Sequence, residues 1–199
     1  MNRAEIKQSA KEMLAGNYFT MIFIMVAIVA ICAVCGLIPL IGFLVSAIVA
    51  APLGIGNIKA YINLAKGKEV EVGDIFENFD ITFRAVWMNI LISVFTALWS
   101  LLFFIPGFVK SLSYSAAPYI LAVYPDITAN EAIARSMRLM NGHKMELFIL
   151  HISFFFWHIL TTITFGIAGL YVVPYVNATV TNFYLKIGLE DIANEEIRI

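Results

Sequence analysis

Four long stretches of this chain carry no Asp, Glu, Lys or Arg, and they limit the fold more than any motif does. Met13 to Ile58 runs 46 residues without a charge, Ala85 to Val109 runs 25, Ser111 to Pro125 runs 15 and Leu147 to Leu185 runs 39. A helix of about 20 apolar residues crosses a bilayer, since each residue rises about 1.5 Å and the hydrocarbon core is about 30 Å thick. The whole chain is 61% hydrophobic and 14% charged, with a mean hydropathy of +0.86. That composition excludes an ordinary soluble globule and equally a disordered chain. The sequence reads as an all-α, polytopic membrane protein.

The first stretch is long enough for two crossings. It divides at Gly36-Leu37-Ile38-Pro39, where proline cannot donate to a helix and glycine tolerates a turn. Tyr18 to about Ile38 and about Leu40 to Leu64 are the first two expected spans. Ala85 to Pro125 contains one charge, Lys110, and breaks at Ile105-Pro106-Gly107 into two more. The last stretch divides near Phe165-Gly166, which completes six spans in three hairpins. The expected organisation is one membrane domain. An interfacial helix covers 1–17, and hairpins cover 18–64, 85–125 and 147–185. Cytoplasmic segments cover 65–84 and 126–146, and a cytoplasmic tail covers 186–199.

Orientation follows from the basic residues, which concentrate on the cytoplasmic side of membrane proteins. Arg3, Lys7 and Lys11 precede the first span, and Lys59, Lys66, Lys68 and Arg84 lie between the second and third. Arg135, Arg138 and Lys144 lie between the fourth and fifth, with Lys186 and Arg198 in the tail. Of the 13 basic residues, Lys110 alone falls on the other side. Both termini are expected in the cytoplasm. A cleaved signal peptide is not expected, because the apolar stretch is too long and Glu5 and Glu12 stand among the basic residues before it. Ile31 before Cys32 and Val34 before Cys35 also lack the small residue of a lipoprotein site. A net charge of −1 argues against a nucleic-acid partner.

A short polar segment with helical periodicity precedes each expected hairpin. Ile6, Ala10, Met13 and Leu14 form one apolar face in the first, and Ile75-Phe76 through Phe83 make up the second. The third opens with Thr128-Ala129-Asn130-Glu131, a capping-box pattern, and closes at Asn141-Gly142. Ile6, Ser9, Lys11 and Met13 align with Ile133, Ser136, Arg138 and Met140. The second span of each hairpin carries a proline: Pro52, Pro118 or Pro174. The pattern predicts three copies of an interfacial amphipathic helix followed by a hairpin. Arg3, Lys7, Lys11, Arg135, Arg138 and Lys144 would then meet anionic lipid headgroups, each worth about 1 kcal/mol. Packing of these helices on one another as a cytoplasmic cap is the other arrangement open to them.

Several motifs in order resemble a known family. They are Asn2-Arg3-Ala4-Glu5-Ile6-Lys7, Ile105-Pro106-Gly107 with Lys110-Ser111-Leu112-Ser113-Tyr114, the Arg135 to Lys144 core, and Pro174-Tyr175-Val176-Asn177-Ala178-Thr179 with Phe183-Tyr184. Together they look like the bacterial integral membrane family called domain of unknown function 975. The resemblance implies a bacterial cell membrane and six helices, and no established activity. The Ser136 to His143 stretch is also weakly similar to the membrane domain of some glycerophosphodiester phosphodiesterases, a domain that carries no active site.

Lys110 is the most informative charge. It can line a cavity and bind an anionic group, or its stem can snorkel to the outer interface. His151 and His158 stand seven apart in the fifth span, about 10.5 Å of rise, too far to share one metal ion. They serve a polar cavity wall or proton relay, or they bond to neighbours such as Asn177, Thr179, Thr181 and Asn182. Lys110, His151, His158, Asn177 and Asn182 are the candidate cavity or ligand-binding residues. Pro52, Gly54, Gly56 and Asn57 either break the second span or let helices pack closely. Cys32-Ala33-Val34-Cys35 has redox spacing without the strand-helix context such a site needs. No catalytic set, metal site or cofactor is expected, so the chain reads as a non-enzyme. Two function classes stand open. One is binding or transport of a lipid or other amphipathic small molecule. The other is a structural or regulatory membrane partner, either a complex subunit or a factor for tolerance to membrane-active peptides.

Overall fold

The computed structural model describes residues 3–38, 41–77, 79–102 and 104–192 of the chain. Asn2, Pro39, Leu40 and Arg198, which entered the expectations above, lie outside them. Among the described residues every regular element is helical.

Two helices, α2 (Tyr18–Gly36) and α3 (Gly42–Ala65), form the first pair, joined where the sequence predicts a break. The halves nearest their connection are tied by the Ser46 hydroxyl, which donates to the Cys32 carbonyl at 2.9 Å. The α2 sequence is apolar on every side, and only Met21 and Ile24 are buried. Phe19 is 77% exposed and Phe23 61%. Soluble proteins rarely leave a continuous apolar surface of this kind open to water, whereas acyl chains cover it at no cost.

The second pair is α4 (Thr82–Leu102) with α5 (Phe104–Tyr114). Ile105-Pro106-Gly107 lies in the first turn of α5 rather than at the break expected there. Proline is tolerated at that position because first-turn amides have no partner within the helix. Gly107 permits close approach instead. A Cβ there would fall 2.6 Å from the Ser100 Cα on α4. The unexpected feature is a second break, after which α6 (Ala117–Val123) continues. Pro118, in the first turn of α6, has no amide to donate back across it.

The third pair is divided as well. Its first arm consists of α8 (Lys144–Ile152) and α9 (Phe155–Ile163), separated at Ser153-Phe154. Phe165 (φ +50°) and Gly166 (φ +88°) make the expected turn into α10 (Gly169–Lys186).

Four stretches are long and apolar enough to cross a membrane: Tyr18–Gly36, Gly42–Ala65, Val72–Leu101 and Lys144–Ile163. The α5–α6 pair and α10 are the other two expected spans, and neither stands among these four. The break shortens the first, and Asn177, Thr179, Thr181 and Asn182 make the second polar.

The three pairs share one centre. α10 buries eleven residues and α3 ten, against two in α2 and none in α9, so the second arms form the core. Tyr184 of α10 lies 4.4 Å from Tyr119 of α6, ring to ring.

The polar segments pack in a cyclic order. Two 3₁₀ turns, Val72–Phe76 and Phe79–Ile81, stand where a second amphipathic helix is expected, and they pack on α3. Helix α7 (Ala129–Leu139) packs on α6 and α5 and equally on α4, and α1 (Arg3–Leu14) packs on α10, closing the ring. Each segment thus seats against the second arm of the pair before it. Thr128 caps α7 by accepting the Glu131 amide at 3.2 Å, but the Glu131 carboxylate turns to Arg135, so half the predicted capping box forms. Ile6, Ala10 and Leu14 of α1 are fully buried. Its apolar face packs on the protein, while Arg3, Glu5, Gln8, Lys11 and Glu12 on its other side are exposed.

Candidate functional site

Between α5 and the divided α8–α9 arm lies a lateral groove of about 430 Å³. Phe108, Leu112, Leu147, Phe148, Ile152 and Phe155 supply its apolar wall. The Phe108 and Phe148 rings meet edge to face at 5.4 Å and close one end. Its polar groups are Ser111, Ser115, His151 and His158. His151 and His158 belong to different helices, yet the register through Ser153-Phe154 keeps both on this one face.

Hydrogen bonds fix the chemistry of the polar groups. The Ser111 hydroxyl donates to the Phe108 carbonyl and the Ser115 hydroxyl to the Leu112 carbonyl, each at 2.7 Å. Ser115 also accepts the Tyr184 hydroxyl at 2.8 Å. His151 Nδ1 lies 2.9 Å from the Leu147 carbonyl. A carbonyl can only accept, so Nδ1 holds the hydrogen and Nε2 is the free ring atom.

The five cavity candidates do not share one site. His151 and His158 line the groove, while Lys110 lies on another face of α5, its ammonium 5.0 Å from the Trp99 ring centre. Asn177 lies beside the buried Tyr61 side chain, away from the groove. Asn182 Nδ2 stands 3.4 Å from the Ser9 hydroxyl of α1. An enclosed polar cavity gathering Lys110 with the histidines is therefore corrected to an open groove holding the histidines alone. Helical geometry explains this, since Lys110 and Ser111 are 100° apart around α5 while Ser111 and Ser115 share a face.

Two of the six expected headgroup contacts are also corrected. The Arg135 side chain is 8% exposed, paired with Glu131 and lying over the Tyr124 ring. The Lys7 ammonium sits 4.2 Å from the Phe154 ring centre and 3.5 Å from the Ser153 carbonyl, at the break between α8 and α9. Burial first, and the Arg3 and Lys11 charges next, hold its pKa below the usual lysine value. Arg3, Lys11 and Arg138 are exposed and Lys144 half-buried.

Sequence reasoning missed Ser136. Its hydroxyl donates to the Ser113 carbonyl at 2.8 Å and accepts the Ala116 amide at 3.1 Å, so α7 satisfies the backbone at the break between α5 and α6. The alignment of Ser9 with Ser136 marked the position without revealing this role.

Residues 104–190 match the family model described as protein of unknown function, DUF975. The DUF975 stretch runs from α5 to just beyond α10. It therefore holds every residue of the groove, the Ser136 bridge and both divided arms. It leaves α1 to α4 outside. No curated protein and no solved structure matches the chain. The residues of the weaker likeness to glycerophosphodiester phosphodiesterases, Ser136 to His143, lie inside the DUF975 stretch, and no comparison shows that likeness.

Proposed function

We propose that the chain is a six-pass protein of the bacterial cell membrane, both termini cytoplasmic, that binds a lipid or other amphipathic small molecule without catalysing a reaction. The α5–α6 pair and α10 complete the six crossings, and the 12 basic residues of the cytoplasmic segments set the orientation. The observation that carries the binding function is the groove itself. It is apolar along its length and holds a few convergent polar groups, which is how small-molecule sites are built. Ile152 and Phe155 on its rim are more than half exposed, so it opens sideways toward acyl chains. A partner's helix would reach into it only with a ridge of side chains. An alkyl chain can lie along its whole apolar wall.

The test is a structure in lipid nanodiscs, with co-purified lipids identified by mass spectrometry. A lipid seated against Phe148 and His151 is the expected result. Groove walls closed on one another, with no lipid retained, would contradict it.

A further inference from the structure

The polar inventory of the groove narrows the ligand. Among the described residues no Lys or Arg lines it, so none of them neutralises a phosphate or carboxylate there. The hydroxyl hydrogens of Ser111 and Ser115 are committed to carbonyls of their own helix. The ring hydrogen on His151 Nδ1 is committed to Leu147. What α5 and α8 leave open to a ligand are therefore acceptors: hydroxyl lone pairs and His151 Nε2. His158, farther along on α9, adds an imidazole. An anionic headgroup is itself all acceptor, and burying it here without donors or a cation is costly. A hydroxyl head donates one hydrogen and finds its partner in Nε2.

The row Phe148, Ile152 and Phe155 along the α8–α9 arm is a strip that one alkyl chain can follow.

Resting on the binding function proposed above, we infer that the groove takes a single-chain, uncharged lipid with a hydroxyl head, such as a long-chain alcohol. The alcohol hydroxyl donates to His151 Nε2, and the chain lies along Phe148, Ile152 and Phe155. No bond is made or broken.

The test uses the full chain in nanodiscs with three photoreactive lipids: a hexadecanol analogue, a palmitate analogue and a diacylglycerol analogue. Labelled peptides are mapped by mass spectrometry. The alcohol is expected to label residues 147–158, with unlabelled alcohol competing and palmitate not. His151→Phe keeps the apolar bulk, removes Nε2, and is expected to weaken alcohol labelling about tenfold, one hydrogen bond's worth. Should that variant fail to fold, Ser111→Phe, which fills the hollow from α5, is expected to abolish labelling. Preferential labelling by palmitate or diacylglycerol, or a His151→Phe variant that binds as before, overturns this inference and leaves groove binding standing. Absence of groove labelling by all three probes overturns both.

Discussion

Gly56→Val is expected to destabilise the folded chain by about 3 kcal/mol, at the upper end of overpacking costs. A Cβ at Gly56 would fall 2.4 Å from the Ile75 carbonyl oxygen and 2.8 Å from its Cα. Those are backbone atoms, and Ile75 is itself fully buried, so nothing can swing aside. The 3₁₀ turn over Val72–Phe76 would have to lift off α3, and with it one of the three contacts of the cyclic ring. Gly54 supplies the control. It lies two residues away on the same helix, and a Cβ there meets open space. Gly54→Ala is expected to stabilise by about 0.5–1 kcal/mol, because alanine loses less backbone entropy in a helix. Thermal unfolding in one detergent, compared between the two variants, reads the opposite signs directly. Equal effects would mean that the contact between Gly56 and Ile75 does not matter.

Ser136→Ala is expected to cost about 1–3 kcal/mol, the range for leaving buried polar partners unsatisfied. Ser136 is fully buried and bridges two backbone groups that the broken helix cannot pair itself. Removing its oxygen strands the Ala116 amide away from water. Ser9→Ala, at the aligned position of α1, is expected to cost less, since Ser9 is half-buried and its contact with Asn182 is long at 3.4 Å. Hydrogen exchange should rise at residues 113–117 in Ser136→Ala before the rest of the chain opens. Unchanged exchange there would show that the break is satisfied by other means.

The legible parts of this fold are those written as periodicity and charge. A helix that must face lipid on one side and protein on the other has few ways to be spelled, so α2 and α3, the turn at Phe165-Gly166 and the cap at Thr128 could be read directly. The breaks at Ser115-Ala116 and Ser153-Phe154 could not. A side chain from a distant segment meets each, Ser136 in one case and Lys7 in the other, and no local pattern encodes such a pairing. Arg135 and Lys7 looked like headgroup ligands for the same reason, since a basic residue on an amphipathic helix is spelled alike whether it turns outward or inward. The groove was half legible. Heptad spacing placed His151 and His158 on one face, but their meeting with Ser111 and Ser115 is tertiary, and so is the separation of Lys110 from them.

Six crossings and a cytoplasmic N-terminus are the frame on which the rest stands, and single-cysteine labelling tests them most directly. With Cys32 and Cys35 replaced by alanine, a membrane-impermeant maleimide is applied to intact cells carrying Asn141→Cys or Phe165→Cys. Phe165 is 98% exposed and Asn141 is exposed, so either thiol reacts if it faces the reagent. Six spans place residue 165 outside, labelled in intact cells, and residue 141 inside, labelled only after lysis. If the chain crosses only at the four strongly apolar stretches, the pattern inverts, with residue 141 labelled from outside and residue 165 protected. That inversion would contradict the account of six spans with a cytoplasmic N-terminus.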